Sequence, residues 1–245
     1  MPLRYAAAES LDDMESLVSS NPRLCSFGLK ALVFAALAVV SGSLLAQQSS
    51  APAALAPLAP LALKGHPENG KRLASTCAGC HAIPGYRNVY PSFHVPKLGG
   101  QNADYIEIAL QGYRRGTRGH DTMHAQASSL SDQDIADLAA YIASLENSAE
   151  EGISRATDEM IAAGKEKAAV CFSCHGENGI APAPQWPNLA GQHASYLERA
   201  YRQYQSGERQ DVQMAPMATL LDEAGIKEVA AYFASQPGLY TPNEM

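Results

Sequence analysis

Cysteine is scarce in this sequence, and nearly all of it is committed. Five cysteines occur in 245 residues, and four of them fall inside two five-residue words, CAGCH (77–81) and CFSCH (171–175). The fifth, Cys25, precedes an apolar stretch, so once the two words use their thiols no pair is left for a structural disulfide. Aromatic residues are also few, at 7%, with one tryptophan. A small domain so poor in large rings needs a staple, a metal or a cofactor to complete its core. Basic charge is in deficit, with 18 Lys and Arg against 25 Asp and Glu and a net charge of −7, which argues against a nucleic-acid partner. No segment alternates apolar and polar residues as a half-buried strand does.

One uncharged, largely apolar run stands out, from Ala31 to Ala46 behind Lys30. It is short for a bilayer span and fits the apolar part of an export signal, with cleavage expected near Ala46. Residues 1–46 are therefore read as a leader, and a start at Met14 would give it a positive front of Arg23 and Lys30 against Glu15. Residues 47–63 form an Ala/Pro-rich tether. An uncleaved leader would tie the chain to a membrane.

The rest of the chain is written twice. GKRLASTCAGCH (70–81) lies over GKEKAAVCFSCH (164–175) at an offset of 94, and VPKLGGQNADY (95–105) over WPNLAGQHASY (186–196) at 91. The second offset persists through Tyr113 over Tyr204, Gly116 over Gly207 and Leu130 over Leu221, so three residues are extra in the first copy's loop between His81 and Val95. Two homologous domains follow, 64–146 and 159–245, joined by a polar linker, 147–158. The last helix of the first copy is expected to start at the N-cap Ser131, with Ile135, Leu138, Ile142 and Leu145 inward; its counterpart turns Ile226, Val229 and Phe233 inward.

Each five-residue word places two thiols one helical turn apart and an imidazole directly after them. A zinc site would need two more soft ligands per domain, and no cysteine remains to supply them. A redox dithiol of the thioredoxin kind belongs in a βαβ setting, which is missing. Two thiols at this spacing can add across the two vinyl groups of a porphyrin, and the histidine that follows then lies under the iron. Cys77, Cys80 and His81, and Cys171, Cys174 and His175, are read as two covalent haem c anchors.

These words, with VPKLGGQ and WPNLAGQ after them and LSDQDIADLAAYIASL closing the first copy, resemble the dihaem cytochromes c4 over roughly Gly65 to Leu239. The resemblance implies an all-α fold of two tandem class I cytochrome c domains, each wrapped around one covalently attached haem. It further implies export, and electron transfer at the outer face of the bacterial inner membrane.

The sixth iron ligand of a high-potential carrier is expected to be a methionine sulfur, which favours ferrous iron. Met123 is the single choice in the first copy; the second offers Met214 and Met217. Met123 precedes Leu130 by seven residues as Met214 precedes Leu221, which favours Met214. His94, His120 and His124 could offer bis-imidazole ligation in the first copy, but the second has only His193. The resemblance implies that the carbonyls of Pro96 and Pro187 orient the two histidines. It also implies that Gly70 and Gly164 let helices meet beside Tyr141 and Tyr232; Ala74 and Ala168 depart from the aromatic that many relatives carry, so a looser contact is expected there.

Within residues 47–147 eight cations face eight anions, whereas residues 148–245 carry 7 cations against 13 anions, a net of −6. The two domains are expected to meet different redox partners. The chain is read as a periplasmic electron carrier, not an enzyme, between a quinol-oxidising complex or dehydrogenase and a terminal reductase or haem-copper oxidase. A haem-bearing subunit of a larger dehydrogenase or oxidase is the alternative. A dihaem peroxidase would need a displaceable iron ligand, and no added acid–base motif accompanies one.

Overall fold

The computed structural model describes residues 57–145 and 155–245. The leader, both candidate start sites, the beginning of the tether and most of the linker lie outside them.

Each copy folds by the same plan. In the first, α1 (Pro67–Leu73) leads into α2 (Ser75–His81), which carries the first CxxCH word. Then come α3 (Ala103–Arg115), α4 (Asp121–Ser128) and α5 (Asp132–Ser144). In the second, α6 (Asp158–Lys167) runs through a 3₁₀ turn (Ala168–Cys171) into α7 (Phe172–His175). It continues with α8 (Ala194–Ser206), α9 (Met214–Met217) and α10 (Glu223–Ser235). The only strands among the described residues are β1 (Arg87–Asn88) and β2 (Phe93–His94), an antiparallel pair. They sit in the loop that carries the first copy's three extra residues. Two residues per strand leave the fold all-α.

Helix ends obey local chemistry. Ser131 caps α5 in a reciprocal box, its hydroxyl accepting from Asp134 N while the Asp134 carboxylate accepts from Ser131 N. Asp222 caps α10 by accepting from Gly225 N at 2.8 Å. α3 and α8 both stop at a glycine in the left-handed region, Gly116 (φ 74°) and Gly207 (φ 75°).

The core of each copy forms where its first and last helices cross. Gly70 meets the backbone of α5 so closely that a Cβ there would lie 2.0 Å from Asp137 O, and one on Gly164 would lie 2.0 Å from Glu228 O. Tyr141 and Tyr232 flank these crossings. The contact is tight rather than loosened: Ala74 and Ala168 are fully buried at the same junctions. Leu138, Tyr141 and Ile142 pack with Ile106 in the first core; Val229, Tyr232 and Phe233 form the second. Each large apolar side chain so buried contributes about 1.5–3 kcal/mol.

Two segments depart from the expected outline. From Pro57 to Leu63 the tether has no regular element, yet it lies along α3. The C-terminal segment crosses back to the first copy, where Tyr240 exchanges two backbone hydrogen bonds with Gly99 and its hydroxyl donates to Leu145 O. Among the described residues no helix is long and apolar enough to cross a membrane.

Candidate functional site

The structure brings both five-residue words onto one cavity of about 1200 Å³. Its walls include Cys77, Cys80, His81 and Met123 from the first copy, and Cys171, Cys174, His175, Met214 and Met217 from the second. Helical geometry puts each pair of cysteines on one side of a turn, half-buried and without a disulfide. Burial pushes the Cys77 and Cys171 thiols up from their ordinary range, which keeps them protonated at neutral pH.

Both histidines are almost fully buried, His81 at 8% and His175 at 6% exposure. His81 Nδ1 lies 2.9 Å from Pro96 O, and His175 Nδ1 lies 3.0 Å from Pro187 O. Burial lowers both pKa values more than these carbonyls raise them, so the rings are neutral. A neutral ring that donates from Nδ1 keeps its lone pair on Nε2, the form a metal binds.

The methionine segments correspond in detail. Met123 N donates to the side chain three residues back, His120 Nδ1 at 3.2 Å, and Met214 N donates to Asp211 Oδ1 at 2.8 Å, again three back. Ala127 and Ala218, four residues further on in each copy, are both fully buried. Met217 also reaches the cavity wall, and its carbonyl accepts from the Tyr201 hydroxyl at 2.7 Å.

The other histidines have different partners. His120 caps α4, and His124 Nδ1 bonds Tyr113 O at 2.7 Å. His94 bonds Ser195 Oγ at 2.9 Å and stacks on His193 of the other copy, with ring centroids 4.6 Å apart. Burial, followed by the charges of His94 and Lys97, brings His193 down to about 4.

The basic run Arg114, Arg115 and Arg118 just before Met123 is placed by sequence at the rim of the first site; its pairing with the second copy was not legible there. Arg118 pairs with Arg209 in an antiparallel bridge, and the flanking hydrogen bonds, Gly119 N to Glu208 O and Gln210 N to Thr117 O, obey a local two-fold. Arg118 donates to the hydroxyls of Tyr105 and Tyr196, each at 2.9 Å, and Arg209 donates to Tyr196 at 3.2 Å. Burial raises the Tyr196 phenol, but the two guanidiniums outweigh it and hold it at about 8. The repeat aligns Arg118 with Arg209, 91 residues apart like the aligned tyrosines, but not their contact.

The donor set fits haem c. Both guanidiniums are nine-tenths buried on the cavity wall, their Nε atoms have no partner, and no carboxylate pairs with either among the described residues. A buried cation left so costs several kcal/mol, and the two carboxylate side chains of a porphyrin are the complementary charge. Thiol pairs, neutral imidazoles, thioethers and buried cations thus converge on one apolar space. Together the fold and its two equivalent sites define a tandem c-type cytochrome.

The comparisons agree. The family model for cytochrome c matches twice, over residues 67–146 and 161–237. Cytochrome c4 of Pseudomonas aeruginosa is 30% identical over 178 residues, 70% of this chain and 87% of that protein. A thiosulfate dehydrogenase electron acceptor of Thiomonas intermedia is 27% identical over 175 residues, 67% of this chain and 80% of its own length. The crystal structure of reduced recombinant cytochrome c4 from Pseudomonas stutzeri aligns with a TM-score of 0.59 at 27% identity, covering 72% of this chain and all of that one. The chain belongs to the dihaem cytochrome c4 family and carries two covalently attached haem c groups, at Cys77/Cys80 and Cys171/Cys174.

Proposed function

We propose that this chain is an exported, periplasmic two-haem electron carrier, with His81 and Met123 ligating one iron and His175 and Met214 the other. Each haem, when bound, supplies an iron that alternates between ferric and ferrous states. The chain's own residues do the rest. Pro96 and Pro187 orient the imidazoles, the thioethers would favour the reduced state, and Arg118 and Arg209 would hold the porphyrin carboxylates.

The observation that carries this reading is the equivalence of the two sites around one cavity. Each has a thiol pair, a buried neutral histidine and a methionine, so neither offers a distinct open position for substrate. Met214 is preferred to Met217 because its local hydrogen bonding and the burial of Ala218 reproduce the surroundings of Met123. The donor is a quinol-oxidising complex or a dehydrogenase, and the acceptor a terminal oxidase or reductase. The resemblance to a protein named as the electron acceptor of thiosulfate dehydrogenase supports the dehydrogenase as donor.

A spectroscopic redox titration of the mature protein, repeated under carbon monoxide, tests the proposal. Two six-coordinate haems inert to carbon monoxide are expected. One haem that binds the gas would make the chain an enzyme subunit instead.

A further inference from the structure

α3 and α8 are equivalent helices with different neighbours. At one matched position both carry glutamate, Glu107 and Glu198; four residues on, the first has Gln111 and the second Arg202. In the second copy this face is a surface ion-pair array, with Arg202 on Glu198 at 3.2 Å and on Glu223 at 2.8 Å. In the first copy Glu107 and Gln111 are buried, at 7% and 2% exposure.

What covers them is the chain ahead of α1. Leu61 N donates to Glu107 Oε2 at 2.5 Å, and Gln111 Nε2 donates to Ala59 O at 2.9 Å. Leu58 packs beside Gly112, where a Cβ would lie 3.4 Å from Leu58 Cδ1. Leu58 and Leu61 are half-buried while Pro57, Ala59 and Pro60 are exposed, the three-residue period of a polyproline II helix. Pro57 and Pro60 have no N–H to leave unpaired, and the polar groups turned toward α3 meet its two side chains. Further along, Gln133 donates to Lys64 O and Asp137 accepts from His66 N, so the segment is fastened on both sides. Pro57 to Pro60 stand on the wall of the same cavity as Tyr113 and Met123. The second copy has only the linker ahead of α6, and its matched helix face keeps its ion pairs.

We propose that Pro57–Leu61 is a strap that closes the α3 side of the first haem site, keeping that site drier than the second and its reduction potential higher than it would be without the strap. This rests on the carrier reading above. Excluding water penalises the more highly charged ferric state, so cover over one site alone separates two otherwise similar potentials. Gln111 is the adapting residue: an amide can donate to a strap carbonyl, whereas an arginine there would seek carboxylates, as Arg202 does.

The test uses the full chain with the double substitution Leu58→Ser and Leu61→Ser and, separately, Gln111→Arg. Hydrogen exchange is compared over 103–115 and 194–206, and each haem's potential is followed through its paramagnetically shifted methyl resonances. Exchange in α3 should rise about tenfold, as loss of one hydrogen bond's stabilisation implies, with α8 unchanged. Only the first site's potential should fall. Unchanged α3 exchange, faster exchange with both potentials constant, or an equal shift at both sites would each overturn the strap. A chain without two sets of haem resonances would instead count against the carrier reading, while the exchange data would still report on the strap.

Discussion

Gln101 grips the main chain of Asn188 with both ends of its amide: Nε2 donates to Asn188 O at 3.0 Å, and Oε1 accepts from Asn188 N at 2.9 Å. Gln192 does the same to Lys97 with two bonds of 3.0 Å. Asn188 and Lys97 are themselves matched positions, so the two copies hold each other by one reciprocal contact. All four residues are buried. Gln101→Ala removes two hydrogen bonds from buried backbone, and a loss of about 1–3 kcal/mol is expected in a denaturant melt. With Gln192→Ala added, the two copies should unfold in separate transitions.

The helix crossings are far less forgiving. A methyl group on Gly70 or Gly164 would stand 2.0 Å from a backbone carbonyl oxygen of the facing helix, where no side chain can move aside. Gly70→Ala or Gly164→Ala should therefore cost about 3 kcal/mol or more, at the upper end of overpacking penalties. Thermal unfolding of each variant, compared with Gly79→Ala, where nothing lies within 4 Å, measures it.

The capped α5 was legible in the sequence because it is local, and the crossings because the family resemblance implies them at two glycines that the repeat aligns. A Ser131–Asp134 cap needs four residues, and a repeat aligns glycine with glycine. The interface was not legible in the same way. Gln101 and Gln192 were visible within matched words, but nothing in one chain says that an amide will reach a backbone segment more than eighty residues distant. The strap and the Tyr240 segment lie outside the repeat, so no alignment exposed them, and their bonds are to main-chain atoms of no sequence signature. The short α4 and α9 leave no helical signal in the sequence, because their apolar positions are too few for a periodic stripe.

Met123→Ala and Met214→Ala should each remove half of the sulfur-to-iron charge-transfer absorption of the oxidised protein and let carbon monoxide bind one haem. Met217→Ala should keep the band, since the Met214 segment repeats the hydrogen bonding of the Met123 segment. Retention of the full band in Met214→Ala, with its loss in Met217→Ala, would reverse the assignment.

The acid limit of stability should involve Asp137. Burial raises its pKa, but hydrogen bonds from Gln133, His66 and Asn69 more than compensate and hold it below its ordinary value. A carboxylate lowered in the folded state contributes stability above its unfolded pKa and loses it as pH falls through the folded one, so the effect lies below about pH 4. Asp137→Asn should lower stability at pH 7 and flatten the slope of unfolding free energy between about pH 4 and pH 2. A wild-type slope in the variant would show that another group sets the acid limit.

Arg118 reaches the tyrosines of both copies, and its nearest charged neighbour of the same kind is Arg209. A cation buried on the wall that the two sites share would favour the haem state with one positive charge fewer, so its removal should favour ferric iron at both sites. Arg118→Met keeps the bulk of the stem and removes the charge. Both potentials should fall, by roughly one power of ten in the one-electron equilibrium, or about 59 mV. The Tyr196 phenol, relieved of one of two guanidiniums, should titrate above its value of about 8, a shift readable by ultraviolet difference spectroscopy. If the phenol moves while the potentials stay, the guanidinium serves the interface alone. A fall in both potentials would place it in the electrostatic field that the two haems share.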